Sequence, residues 1–478
     1  MSEYDAVVVG SGPNGLMAAI TMARAGRRTV VFEAASAPGG GSRSAMVTEP
    51  GFVHDICSTV HPTALASPAF ATVPLATHGV EWCHPDLPLA HPLDDGRAGL
   101  LHRSVGETAA GLGPDGDAYR RLLERYVARA DAVGATLLSP IGLPRAPFTM
   151  ARFGLDAIRS VVGLTRHRFA DDEARALLAG SAAHSMVALD APATAGYGLF
   201  LTLLAHAVGW PVARGGSQAI ADALVAELRT RGGEVVTDHE VTALADLPPA
   251  PSTLLDVTPR QLLALGGDRI PARYRRTLRR YRYGPGVFKV DWALSGPVPW
   301  ANPDVARAAT VHVGGTIEEI AAAEAAVLAS RVPERPFVIF VQATVADPSR
   351  APDGRHTGWG YCHVPNGSTV DCTAAIEAQI ERFAPGFRDT ILARRTVSAA
   401  GMEAYDANYV GGDINGGAGT LTQIFTRPSV SLRPWVTPLR GVYLCSSATP
   451  PGGGVHGMCG WHAAHAALRR DAGPALVR

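Results

Sequence analysis

The stretch VVVGSGPNGL, residues 7–16, decides the fold. Its valine run reads as a buried parallel strand, and glycines 10, 12 and 15 follow in the spacing G-x-G-x-x-G. LMAAITMARAG then reads as a helix, and TVVFE as a second strand ending at Glu33, 18 residues past the last glycine. A strand, glycine turn, helix, strand and terminal acid in this order predict a dinucleotide-binding βαβ unit. Gly10 permits the tight turn, Gly12 lets backbone approach a diphosphate, and Gly15 lets the helix pack closely on the strand. Pro13 and Asn14 stand in the same turn. The helix start offers unpaired N–H groups to phosphate, and Glu33 can accept hydrogen bonds from ribose hydroxyls.

The chain of 478 residues is 47% hydrophobic and 18% charged, which describes an ordinary folded protein with room for more than one domain. Its formal net charge of zero gives no reason to expect a nucleic-acid partner. Six scattered cysteines without a C-x-x-C pair argue against a zinc site and a redox disulfide, so no metal is expected. The first apolar run is broken by glycines at once and reads as a strand, not a secretory signal. Of 43 Lys and Arg residues only Lys289 is lysine, a bias that suggests a GC-rich bacterial genome and leaves the exception unexplained.

Just past Glu33, residues 38–44 read PGGGSRS. This second glycine loop resembles the extended FAD motif of the glutathione-reductase-like flavoproteins. The resemblance places Gly40, Gly41, Ser42 and Arg43 along the phosphates and ribityl chain, with Arg43 on the diphosphate. The blocks LLDVTPRQLLALGGDRIP (254–271), GVFKVDWAL (286–294), GGDINGGA (411–418) and YLCSSATPPGGGVHGMCG (443–460) extend the likeness along the chain. Together they resemble the phytoene-desaturase-related FAD-dependent oxidoreductases, close to the pyridine nucleotide-disulphide oxidoreductase domain-containing group. The resemblance implies FAD as cofactor, with Val241 at the adenine and Ser447, Gly454 and Val455 in a loop that opens a helix near Val455. Asp256 and Thr258 would lie at a strand edge near the flavin.

The implied fold class is α/β. A discontinuous Rossmann-like, glutathione-reductase-like FAD-binding domain comprises 1–75, 210–275 and 420–478. A mixed α+β substrate domain comprises 76–209 and 276–419. Residues 191–213 carry no charge over 23 positions, yet prolines, glycines and His206 point to a buried helix lining a substrate chamber instead of a membrane span. Arg145, Arg152, Arg159 and Arg166 recur every seven residues among apolar ones, which predicts a basic stripe on a helix over 145–168 and a candidate peripheral membrane contact. A cytoplasmic location, peripheral at the membrane, is the corresponding expectation.

With FAD bound, the expected reaction is hydride transfer from a C–H of a lipophilic small molecule to flavin N5. No second G-x-G-x-x-G follows a mid-chain strand, so an external acceptor, oxygen or a quinone, is expected. In V-F-K-V-D-W, Val287, Lys289 and Asp291 share one strand face. A buried lysine can give up its proton where arginine cannot, which makes Lys289 a candidate base or hydrogen-bond donor. His456 and His61 are further catalytic candidates, with Asp55 beside His61 as a cavity residue. A redox-neutral flavin isomerase, or a non-catalytic binding protein like the GDP-dissociation inhibitors, are the alternatives; intact glycines and Glu33 oppose the latter.

Overall fold

The computed structural model describes residues 3–139 and 142–471, so residues 1–2 and 472–478 of the expected FAD domain and 140–141 of the expected substrate domain lie outside the described residues. In chain order, the strands of its two large sheets are β1 (Ala6–Val9), β2 (Thr29–Phe32), β3 (Leu87–Pro92), β4 (Ala98–Leu101), β5 (Glu234–Val236) and β6 (Ser252–Leu255), followed by β7 (Gly286–Leu294), β8 (Ala308–Val313), β9 (Val338–Val341), β10 (His356–Val364), β11 (Ile391–Val397) and β12 (Val442–Leu444). The helices that matter for the site are α1 (Pro13–Arg24), α2 (Asp172–Ala183), α3 (Thr194–Ala207), α4 (Gln218–Thr230) and α5 (Met458–Asp471).

The first sheet runs β12-β6-β1-β2-β5 with every pair parallel. Its central strands are short valine- and leucine-rich runs buried along their length, as parallel strands covered by helices require. Helix α1 packs on α4 and α5. A Cβ on Gly460 of α5 would overlap the Asn14 carbonyl, so this glycine lets α5 lie directly against the start of α1.

The second sheet runs β11-β7-β10-β9-β8-β3-β4, antiparallel throughout except where β3 and β8 pair. Its register sets Lys289 opposite Tyr361, Asp291 opposite Trp359, Ile339 opposite Tyr361 and Val341 opposite Trp359. Across the next pair, Thr310 faces Val341 and His312 faces Ile339. Opposed residues share a face, so these side chains form one continuous surface. That surface packs with α2 and α3 in the largest apolar cluster.

Two local expectations need correction. The 145–168 segment is not one helix: helices Pro147–Ala157 and Val161–Arg168 are separated by Ile158–Ser160, where Ser160 caps the second by accepting from the Gly163 N–H. Arg159 therefore sits at a break and the basic stripe is not continuous. Helix α5 begins at Met458, three residues past Val455, because Gly454 and Gly457 hold left-handed φ values of 123° and 66° that a right-handed helix cannot include. The uncharged 191–213 segment contains α3, most of it buried, and no helix among the described residues is long and apolar enough to cross a membrane.

Candidate functional site

The turn after β1 is built from glycines in contact with backbone. Gly10 has φ 93°, and a Cβ on Gly15 would overlap the Gly10 carbonyl. A Cβ on Gly40 would lie 3.1 Å from the Gly12 Cα, so the second glycine loop rests against the first. Glu33 is fixed by three donors: the Ser11 N–H at 2.9 Å, the Ser11 hydroxyl at 2.5 Å and the Ala35 N–H at 2.9 Å. Arg43 donates to the Gly40 carbonyl at 3.0 Å and stacks on Tyr405, 4.4 Å from its centroid.

One cavity of about 1190 Å³ follows these loops. Its walls take in Val241 and Glu33 at one end, then Gly10, Gly12, Pro13 and Asn14. Gly40, Gly41, Ser42 and Arg43 come next, with Ser447, Gly454, Val455 and His456 further along. Gly15 alone of the expected cofactor residues is absent from the wall, since its part is to seat α1 against β1. Among the residues of the glycine loops and the loop before α5, three buried polar atoms have no protein partner: Asn14 Oδ1, Ser42 Oγ and His456 Nε2. The helix start has no side-chain cap and Pro13 at its first turn. Bare backbone at the turns, orphaned polar atoms and a fixed acid at the far end fit a dinucleotide.

His456 accepts the Met458 N–H at Nδ1, 3.0 Å, so its proton is on Nε2. Burial lowers its pKa to about 4 against the raising influence of the Gly453 and Gly452 carbonyls, and it presents a neutral donor. Asp256, expected at a strand edge, lies at the end of one and lines the cavity. It follows β6, and its Oδ2 accepts the Gly15 N–H at 2.9 Å, at the foot of α1. No cation pairs with it among the described residues, and burial, reinforced by Asp406 and Glu33, pushes its pKa up to about 8. Thr258 does not stay at the strand edge but caps the helix Pro259–Gly266 in a capping box with Gln261.

Beyond the glycine loops the same cavity widens into an apolar chamber. Trp359 and Tyr361 come from the shared face of the second sheet, Tyr197 and Phe200 from α3, and Trp210 follows α3. Lys289 lies on that sheet face but one layer behind the wall. It is 2% exposed, its ammonium is bonded to Asp291, and the Trp359 ring is 5.7 Å away. His61 does not reach the cavity: it precedes a short helix at Pro62 and its Nε2 pairs with Ser217 Oγ at 2.8 Å, fully buried. Asp55 is likewise structural. The Arg350 guanidinium, 3.0 Å away, and donors from Ser44, Thr59 and the Ser217 N–H outweigh burial and hold its carboxyl down to about 2.

Residues 8–72 match the NAD(P)-binding Rossmann-like domain. Pyridine nucleotide-disulfide oxidoreductase domain-containing protein 2 of Mus musculus is 26% identical over 576 residues, spanning 98% of this chain and 94% of its own length. The chain is a homologue of these domain-containing proteins. An oxidoreductase from Methanosarcina mazei shares the fold at TM-score 0.65 and 15% identity, covering 97% of this chain and 99% of that one. Putrescine oxidase bound to putrescine does so at TM-score 0.62 and 16% identity, with 98% and 99% covered. The disulfide in the homologues' name has no counterpart here, as all six cysteines are free thiols. Cys57, on the cavity wall, is pushed up to about 11 by burial and is held as a thiol.

Proposed function

We propose that the chain is an FAD-dependent oxidoreductase that removes a hydride from a C–H of a mostly apolar small molecule. The observation that carries this reading is the continuity of the cavity: a dinucleotide cradle opens directly into a chamber walled by aromatic and aliphatic side chains. Bound in the cradle, FAD would supply hydride acceptance at its N5. Glu33 and Val241 would hold the adenosine end, the α1 start and Arg43 the diphosphate, and Ser42, Ser447, Gly454 and Val455 the remainder. His456 Nε2–H would donate a hydrogen bond into the cavity, while Lys289 would act from behind Trp359 as the cation of that wall. Oxygen or a quinone would take up the electrons.

A lipophilic substrate needs an entrance. Ile158 and Phe425 line the cavity and are 49% and 58% exposed, and Phe148 and Leu155 are exposed on the helix that leads to Ile158. These residues, with Arg152 and Arg159 beside them, support peripheral contact with a membrane at the chamber mouth. The test of the main reading is an absorption spectrum of the purified protein between about 300 and 550 nm, followed by anaerobic addition of candidate substrates. Stoichiometric flavin that bleaches on substrate addition is expected. A colourless protein that cannot be reconstituted with FAD would overturn the reading.

A further inference from the structure

At one corner of the chamber the polar groups on the described wall are uncharged, and a contact between two histidines fixes which way their protons point. His184, directly after α2, lines the cavity, and its Nε2 lies 3.0 Å from Nε2 of His312 on β8. One ring must donate and the other accept. His312 is fully buried and its Nδ1 has no partner, because the ring is seated on Gly180, where a Cβ would come within 2.5 Å of that nitrogen. A buried N–H without a partner is the costlier orphan, so His312 keeps its proton on Nε2 and donates it to His184. His184 then accepts at Nε2 and carries its own proton on Nδ1, the ring nitrogen that takes no part in the contact with His312. His91, edge-on to His312, is committed elsewhere through Nε2 to the Gly315 carbonyl at 2.7 Å. Asn415 steadies the corner by donating to the His184 carbonyl at 3.3 Å.

Thr310 stands two residues before His312 on the same face of β8. It lines the cavity, is 1% exposed, and its hydroxyl has no partner. Around this corner the wall is Trp210, Ile339, Val341 and Tyr361, and the carboxylates on the cavity wall belong to the nucleotide end. Two neutral groups therefore wait for a partner that brings neither charge nor bulk.

We infer that His184 and Thr310 seat one uncharged oxygen, a hydroxyl or a carbonyl, of an otherwise hydrocarbon substrate. The inference rests on the proposed substrate chamber and names its substrate class. His184 Nδ1–H donates to that oxygen, and the Thr310 hydroxyl donates to a carbonyl or accepts from a hydroxyl. A protonated amine finds no carboxylate on this wall among the described residues to offset its desolvation, since Glu324, which acts on Tyr361, is off the wall and paired with His363 at 2.8 Å.

Trp210 and Trp359 on the cavity wall give a readout that does not depend on flavin. Quenching of their fluorescence by cyclohexanol, cyclohexane and cyclohexylammonium is titrated on the protein as purified. His184→Leu and Thr310→Val are each expected to weaken cyclohexanol about tenfold while cyclohexane binds as before. His184→Asn, whose side-chain N–H stands near the position of Nδ1–H, should restore most of the loss. Thr310→Val preserves shape and serves if the His184 variants do not fold. Parallel changes for cyclohexanol and cyclohexane in the Thr310 variant, or tighter binding of cyclohexylammonium than of cyclohexanol, would overturn the inference. A colourless protein that still discriminates the probes would remove the oxidoreductase reading and leave this one standing.

Discussion

Replacing Asp256 by Asn tests whether a neutral carboxyl sits at the foot of α1. In the folded chain Asp256 faces the Gly15 N–H from α1, Glu33 after β2, Asp406, and the thiols of Cys445 and Cys459. Burial is the largest influence on it, and both acids raise its pKa further, to about 8 against an ordinary value of 3.8. The folded state thus binds a proton that the unfolded chain has released between about pH 4 and pH 8. Stability must fall as pH rises through that window. Each unit is worth about 1.4 kcal/mol, so from about pH 5 to pH 8 the loss has an upper bound of roughly 4 kcal/mol. Asn keeps the acceptor for Gly15 and has no proton to lose. Denaturant unfolding of the wild type and Asp256→Asn should therefore nearly coincide near pH 4 and diverge steadily up to pH 8, with the variant the more stable. Dinucleotide affinity should weaken with rising pH in the wild type and stay level in the variant, because an ionised carboxylate would repel the diphosphate. A stability difference that is constant from about pH 5 to pH 8 would refute the reasoning.

Gly15→Ala forces a methyl into the Gly10 carbonyl, and should destabilise by about 2 kcal/mol and abolish dinucleotide retention, measured by thermal unfolding and bound cofactor. Lys289→Met leaves Asp291 buried with, among the described residues, only His54 as an ion-pair partner, 3.7 Å away, and should cost about 3–5 kcal/mol in unfolding free energy. Adding Asp291→Asn should recover most of that stability; turnover that returns with it would remove Lys289 from the catalytic candidates. Asp55→Asn strands Arg350 on one of its two carboxylates and should cost a similar amount. Because the Asp55 carboxyl is held to about 2, the wild-type advantage is complete above pH about 4 and shrinks as pH falls toward 2, which acid unfolding of the two proteins will show.

The nucleotide end was legible because its requirements are local. Gly10, Gly12 and Gly15 are spaced by the turn itself, Glu33 closes the strand that follows, and Val241 and the 443–460 loop were placed by resemblance. The period of two in β7 also put Lys289 and Asp291 on one face without any tertiary knowledge. Where local rules met glycine backbone or a capping serine, they misled: α5 starts late and the 145–168 helix is broken. A histidine or an aspartate near a glycine loop carries no local signal of where it points, so His61 and Asp55 were expected in a cavity they do not line.

What the sequence by itself determined is the strand–turn–helix cradle and the residues that backbone geometry places in it. Tertiary structure alone decided which distant groups complete that cradle and furnish the chamber. Asp256 reaches Gly15 from 241 residues away, and His184 meets His312 across 128. Those meetings depend on strand order and register, which are set by the summed burial of many apolar side chains and leave no trace in the spacing around any one of them.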